Sequence, residues 1–198
     1  MRLASILLSL ILASQAVLAQ ETPVASTSTT TSSPRVRVFT TAGSFVIELD
    51  RGRAPLTVAA FLEYVDSGFY SGTIFHRVVQ GFVAQAGGYT ADFQPKAVTK
   101  NIFNESGNGL SNLRGTVGLA RSSEPHSATS QFYVNLMDNG NLDPRPTRWG
   151  YAVFGKVVEG MEVADDIGHR PTGAGGPFEA NLPVEPITIE RIELLSTP

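Results

Sequence analysis

Residues 75–88 read FHRVVQGFVAQAGG and place an arginine, two phenylalanines and two glutamines in one strand–turn–strand unit. Alternate side chains of a strand share a face, so Phe75 and Arg77 are predicted to point one way and His76 the other. The glycine in the middle of the stretch allows the chain to turn, and the second strand then brings Gln85 back beside Arg77. The unit therefore predicts an antiparallel pair that carries a permanent cation and an amide on one surface.

Short β-like runs on both sides of this unit extend it into a mainly β domain. Alternating or short apolar runs bounded by Gly, Asn and Pro predict strands near residues 35–38, 45–50, 73–79, 82–86, 114–120, 130–136, 151–158 and 187–194. Helical spacing is found over residues 56–65, behind Pro55, and again over residues 163–167. This combination predicts a closed β-barrel capped by two helices. A β-sandwich stays open as the alternative, because periodicity alone does not separate the two.

The N-terminus has the pattern of an export signal. Arg2 supplies the positive start, residues 3–12 are almost continuously apolar, and small residues precede a cleavage position after Ala19. The run is short for a membrane span, so we expect a cleaved signal peptide over residues 1–19 and no stable membrane insertion afterwards. An uncleaved membrane anchor is the alternative. Residues 20–34 are rich in Ser, Thr and Pro and predict a flexible linker. The folded domain is then expected over residues 35–198.

Composition excludes several classes of function. The formal net charge of −3 argues against nucleic acid as a partner. The chain has no cysteine, which excludes disulfides and thiol catalysis, and its three histidines lack the spacing of metal ligands. We therefore expect neither a metal nor another cofactor. The chain also lacks a Gly-x-Ser-x-Gly turn, which argues against a serine hydrolase.

Several segments together resemble one known family. Residues 75–88 are similar to the cyclophilin signature, in which Phe-His-Arg is followed by a Gly-Phe-x-x-Gln-Gly-Gly run. Residues 114–121, 127–134 and 151–157 look like three further blocks of the same family, in the same order and at compatible spacing. The resemblance covers about residues 35–195. It implies an eight-stranded antiparallel barrel with two capping helices and the activity of a peptidyl-prolyl cis/trans isomerase.

The resemblance also implies which residues form the active site. Arg77 and Gln85 match the family's catalytic positions. The positions that match its substrate-binding residues are Phe82, Val83, Ala120, Arg121, Gln131, Tyr133, Leu142 and Tyr151. The chemistry agrees with this assignment. Rotation of an X–Pro bond needs no cofactor, and an arginine stays charged and presents a rigid fork of donors to the twisted transition state.

The chain departs from the family pattern at positions around this site. Gln80 stands where relatives usually have Pro, Val83 replaces a common Met, and Tyr133 replaces a common Phe. Asn141 stands where many members have a tryptophan, which the resemblance implies is a contact of the inhibitor cyclosporin. Trp149 is the only tryptophan and lies in the loop that follows. These changes affect pocket shape and inhibitor binding more than the catalytic pair.

The function predicted from the sequence is isomerisation of X–Pro bonds during the folding of exported proteins. The expected partners are proline-containing polypeptides, the expected location is the periplasm or the exterior, and the expected state is a monomer. The alternative is a catalytically weak proline-binding chaperone module that uses the same pocket. An isomerase assay on a proline peptide distinguishes the two.

Overall fold

The computed structural model describes residues 33–196. The strands in this part of the chain are β1 (Arg35–Thr40), β2 (Gly43–Leu49), β3 (Thr73–Val79), β4 (Val83–Thr90), β5 (Thr116–Leu119), β6 (Phe132–Asn135), β7 (Val153–Glu159), β8 (Thr172–Gly175), β9 (Phe178–Pro183) and β10 (Thr188–Leu195). The helices are α1 (Pro55–Asp66) and α2 (Met161–His169), with a short 3-10 turn at Gly140–Leu142.

Eight of the strands close into a barrel in the order β1-β10-β3-β4-β6-β5-β7-β2, and every neighbouring pair is antiparallel. Because β2 returns to β1, the sheet closes on itself and has no free edge. The predicted barrel is therefore confirmed over the sandwich. All eight predicted strands belong to it, although their observed ends differ from the predicted ones by up to four residues.

One aromatic side chain joins helix α1 to the barrel core. Phe61 packs its ring 5.2 Å from those of Tyr70 and Phe154 and 5.6 Å from that of Phe132, all between centroids. All four rings are fully buried. Ala164 and Ile167 of α2 belong to the same apolar cluster. Most of the apolar positions that predicted the two helices thus pack against the strands, whereas Leu56 and Ala59 are exposed.

Helix α1 begins without a capping side chain of its own. Its N-cap position is Ala54, and Pro55 follows, which suits the first turn because proline has no N–H to leave unpaired. The carboxylate of Glu105 supplies the missing acceptor. It binds the backbone N–H of Leu56 at 3.0 Å and that of Thr57 at 2.8 Å, and it also accepts the Thr57 hydroxyl. A distant loop therefore holds the start of the helix.

Two features differ from the prediction. Strands β8 and β9 were not expected; they form a separate two-stranded sheet that packs on β3. Helix α2 is longer than the predicted 163–167 and begins directly after Gly160. The β8–β9 hairpin lies beside the strand that carries Arg77.

The predicted signal peptide lies outside the described residues, and so does the predicted linker apart from Ser33 and Pro34. The Pro34 carbonyl accepts a hydrogen bond from the Leu49 amide at 2.8 Å. Pro34 is thus the first of the described residues to pair with the barrel. In residues 33–196 no helix is both long and apolar enough to cross a membrane.

Candidate active site

Arg77 and Gln85 face each other across the β3–β4 pair. They are directly opposite in the strand register, and Arg77 Nη1 donates to Gln85 Oε1 at 3.3 Å. Gln85 Nε2 donates in turn to Gln131 Oε1 at 2.9 Å. Among residues 33–196 this is the only side-chain hydrogen bond of Arg77, and no carboxylate there forms an ion pair with it. Most of the guanidinium donors are therefore free to meet a ligand.

The predicted alternation along β3 is wrong at His76. Phe75 pairs with Ala86, whereas Arg77 pairs with Gln85, so the register shifts between them. Such a bulge interrupts the two-residue period of a strand. Phe75 and Val78 lie in the core, and His76 and Arg77 line the same groove outside it. His76 therefore lies on the side of Arg77 and not on the opposite face.

Nine of the ten predicted site residues line one pocket of about 330 Å³. The tenth, Gln131, lies beside the pocket and holds the amide of Gln85. The lining residues are Arg77, Phe82, Val83, Gln85, Ala120, Arg121, Tyr133, Leu142 and Tyr151. Blocks that are far apart in the chain therefore meet at one place, because β3, β4, β6 and β5 are consecutive in the barrel.

Tyr133 forms a wall of this pocket and is held by its hydroxyl. The phenol donates to Asn112 Oδ1 at 2.7 Å. Burial raises the pKa of Tyr133, so the phenol stays a protonated donor at neutral pH. Its ring lies across Gly118 of the neighbouring strand, where a Cβ would come 2.7 Å from Tyr133 Cε2 and nearer still to Cζ. The Tyr133 ring thus occupies the space that a side chain at position 118 would need.

Arg121 shapes the pocket through backbone contacts. Its guanidinium donates to the carbonyls of Ser122 and Trp149, each at 2.8 Å, and its Nε donates to that of Gly150 at 3.1 Å. It also stacks on the ring of Tyr151, with Cζ 4.5 Å from the centroid. Arg121 therefore holds the loop that ends at Tyr151 and presents that ring to the pocket.

A network of three buried asparagines lies beneath the pocket and was missed in the sequence. Asn139 Nδ2 donates to the Phe82 carbonyl at 2.9 Å and to Asn135 Oδ1 at 2.8 Å. Asn135 Nδ2 donates to Asn112 Oδ1 at 3.2 Å, which also accepts the Tyr133 hydroxyl. The network thereby joins two walls of the pocket. Nothing in the sequence distinguishes these asparagines from turn residues.

The single tryptophan does not line the pocket. Trp149 is 47% exposed, and its ring lies 5.2 Å from that of His126. Asn141 is exposed at the 3-10 turn, and its carbonyl accepts a hydrogen bond from Arg148 at 2.6 Å. The loop thus does not bring Trp149 round to replace the aromatic ring that Asn141 lacks. Within residues 33–196, no three acidic or histidine side chains are grouped as a metal site.

Comparison with protein families agrees with the geometry. The family described as cyclophilin type peptidyl-prolyl cis-trans isomerase/CLD matches residues 35–194. Peptidyl-prolyl cis-trans isomerase A of Dickeya dadantii is 50% identical over 165 residues, which cover 83% of this chain and 86% of that protein. Peptidyl-prolyl cis-trans isomerase B of Escherichia coli is 44% identical over 160 residues, covering 79% of this chain and 97% of that one.

Solved structures agree as well. A cyclophilin type isomerase of Cryptosporidium parvum matches with a TM-score of 0.70 and 25% identity, covering 84% of this chain and 99% of that chain. The same enzyme in the presence of the dipeptide Ala-Pro matches with a TM-score of 0.68, covering 82% of this chain and 99% of that chain. With the signature residues gathered around one pocket of a closed barrel, the chain belongs to the cyclophilin-type peptidyl-prolyl cis-trans isomerases and is an enzyme of that kind.

Proposed function

We propose that Arg77 lowers the barrier to X–Pro rotation by donating to the proline nitrogen in the twisted transition state. Amide resonance gives a barrier of about 18–20 kcal/mol. In the twisted state the resonance is lost and the nitrogen regains a lone pair that accepts a hydrogen bond. A donor fixed at that position stabilises the twisted state more than either planar state. The observation that carries this proposal is a pocket-lining guanidinium with only one side-chain bond among residues 33–196.

The pocket supports the proposal because it offers the proline ring an apolar seat beside that donor. Val83 and Tyr133 are buried, and Phe82 and Leu142 are half-buried at the mouth. The Arg77 Cζ lies 5.9 Å from the Phe82 ring centroid, so the cation and the apolar seat adjoin. A ring held there presents its nitrogen to the guanidinium.

Gln85 is assigned to the carbonyl group that precedes proline. Its Oε1 accepts from Arg77, and one hydrogen of its amide nitrogen goes to Gln131. An amide NH₂ carries two hydrogens, so one remains for the substrate. The same contacts orient both Gln85 and Arg77 before the substrate arrives, which lowers the cost of aligning them in the transition state.

Substitution of Arg77 tests the mechanism. We expect Arg77→Ala to lower kcat/KM by about 10²–10³, the usual effect of removing one transition-state donor. Arg77→Lys should recover part of the loss, since it keeps the charge without the planar fork. The matched control is Arg51→Ala, because Arg51 is exposed in the turn after β2. Wild-type turnover by Arg77→Ala with an unchanged melting temperature would contradict the mechanism.

The biological role proposed is the folding of exported proteins in the periplasm or outside the cell. The support is the charged start, apolar run and small-residue exit of residues 1–19. Uncatalysed isomerisation takes roughly tens to hundreds of seconds and can limit folding. Sequencing of the protein purified from its host should start at Gln20, whereas a retained Met1 in a membrane fraction would indicate an anchor instead.

The role in folding is tested directly by refolding. An exported protein with a slow proline-limited phase should lose that phase when the wild-type enzyme is added, and should keep it with Arg77→Ala. If the two proteins accelerate refolding equally, the chain acts by binding its client and not by isomerisation. That outcome would favour the proline-binding chaperone module.

A further inference from the structure

A second groove adjoins the pocket of about 330 Å³ described above, which is called the proline pocket below, and shares two of its residues. It has a volume of about 520 Å³, and Arg77 and Gln85 line both cavities. Its opposite wall is the β8–β9 hairpin, residues 177–181, which lies outside the barrel. The groove, called the hairpin groove below, is therefore continuous with the site where the substrate is bound.

The floor of the hairpin groove is a fixed aromatic cluster. The Phe178 ring lies 5.0 Å from that of Tyr89 in an edge-to-face arrangement and 5.7 Å from that of His76, whose own ring lies 4.8 Å from Tyr89. Such pairs are favourable beyond their buried area. The cluster attaches the hairpin to β3 and β4. Because Tyr89 and Phe178 are only half-buried, it also leaves aromatic carbon open to a ligand.

The rim of the groove carries a free carboxylate. Glu179 is exposed, and within residues 33–196 it forms no ion pair or side-chain hydrogen bond. The charge of Arg77 is turned toward Gln85 and the Phe82 ring at the proline pocket. The negative charge of Glu179 is therefore the one at the outer part of the groove.

We propose that the hairpin groove binds the substrate segment preceding the proline and favours a basic residue within two positions of it. Gln85, assigned above to the carbonyl before proline, stands where the two cavities meet, so the chain on that side is the one directed into the groove. Lysine and arginine lay an apolar stem on such surfaces and keep the charged end in water. Here the stem meets Tyr89 and Phe178 and the cation meets Glu179. The inference rests on the proposed function of the proline pocket.

The test measures kcat and KM for peptides with Lys, Ala or Glu at either of the two positions before proline. The wild-type enzyme should turn over the Lys peptide more efficiently than the Glu peptide, by roughly two- to fivefold, as expected for an exposed ion pair. The preference should reside in KM, because the contact is already made in the planar ground state and lies outside the bond that rotates. It should also shrink as salt is raised.

Two variants of Glu179 and one control complete the experiment. Glu179→Gln should abolish the Lys-over-Glu preference, and Glu179→Lys should reverse it. Glu185→Gln removes another exposed carboxylate without an ion pair in the described residues and should keep the preference. A preference unchanged in Glu179→Gln, or equally lost in Glu185→Gln, overturns the inference. A separate result would contradict the proposed function: full turnover of the Ala peptide by the Arg77→Ala variant.

Discussion

Gly118→Ala is expected to disturb the proline pocket by moving a single ring. The added Cβ would lie 2.7 Å from Tyr133 Cε2, whereas non-bonded carbons rest at about 3.5–4.0 Å. The ring therefore has to move by roughly 1 Å. The backbone at position 118 is not in the left-handed region, so an alanine there adds no backbone strain.

The expected cost follows from what the ring touches. Moving it breaks the 2.7 Å bond to Asn112, which is worth about 1 kcal/mol, and crowding in a packed site adds about 1–3 kcal/mol. The alanine recovers about 0.4–1 kcal/mol by restricting the unfolded chain. A net loss of about 1–3 kcal/mol lowers Tm by several degrees in a domain of this size. Misplacement by about 1 Å can cost up to about 10² in rate, so kcat/KM should fall by about 10- to 100-fold.

A protease-coupled assay on a proline peptide measures the rate, and thermal unfolding measures stability. Gly107→Ala is the control, because a Cβ there meets open space and the backbone is also ordinary. It should leave kcat/KM unchanged. If Gly118→Ala lowers Tm but keeps wild-type kcat/KM, Tyr133 is not a wall of the substrate pocket. If neither quantity changes, the ring does not occupy the space above Gly118.

Three further predictions concern the same region. Tyr133→Phe removes one buried hydrogen bond and keeps the ring in place, so unfolding free energy should fall by about 1 kcal/mol while kcat/KM stays within about twofold; a large rate loss would assign the hydroxyl a direct role. Burial lowers the pKa of His76 from 6.5 to about 4. Between about pH 6.5 and pH 4, His76 is therefore protonated in the unfolded chain but stays neutral in the folded one. Stability should fall over that range by up to about 3 kcal/mol; denaturant unfolding of His76→Gln should show a shallower fall, and an equal slope would contradict the shift. Cyclosporin should inhibit weakly, because Asn141 lacks an aromatic ring and Trp149 packs on His126 instead. Asn141→Trp should tighten inhibition by at least about 10-fold, since aromatic anchors of this kind contribute ~2 kcal/mol or more. Tight inhibition of the wild-type enzyme would refute this prediction.

The barrel and the pocket were predictable because the information lies in ordered blocks. Strand runs and two helical spacings predicted the barrel. The resemblance of four segments placed eight of the residues that the structure brings into one cavity, and Leu142, from the stretch between the third and fourth segments, is the ninth. The β8–β9 hairpin was not predicted because the sequences of Thr172–Gly175 and Phe178–Pro183 are TGAG and FEANLP. Gly, Asn and Pro are typical of turns, and these strands are held by Phe178 packing on β3 and β4 and not by a strand pattern of their own.

The orientation of His76 could not be predicted because a bulge is a tertiary feature. The two-residue period assumes uninterrupted pairing, yet β3 shifts register between Phe75 and Arg77. The shift has a structural consequence at both positions. It turns Phe75 and Val78 into the core while it leaves Arg77 facing the pocket with His76 beside it. A regular strand would put Phe75 and Arg77 on one face, so it would lose either the core contact of Phe75 or the exposure of the guanidinium.

The two cavities differ in how firmly the protein holds them, and the difference suits the reaction. The proline pocket is backed by the closed barrel and by buried amides that tie the Phe82 carbonyl to Tyr133 through Asn139, Asn135 and Asn112. The hairpin groove is formed by an outer two-stranded sheet attached through aromatic contacts. Rotation about one bond requires that one half of the substrate be anchored while the other turns. In the proposed mechanism the proline pocket anchors the ring, and Gln85, where the two cavities meet, is the contact that accompanies the turning carbonyl.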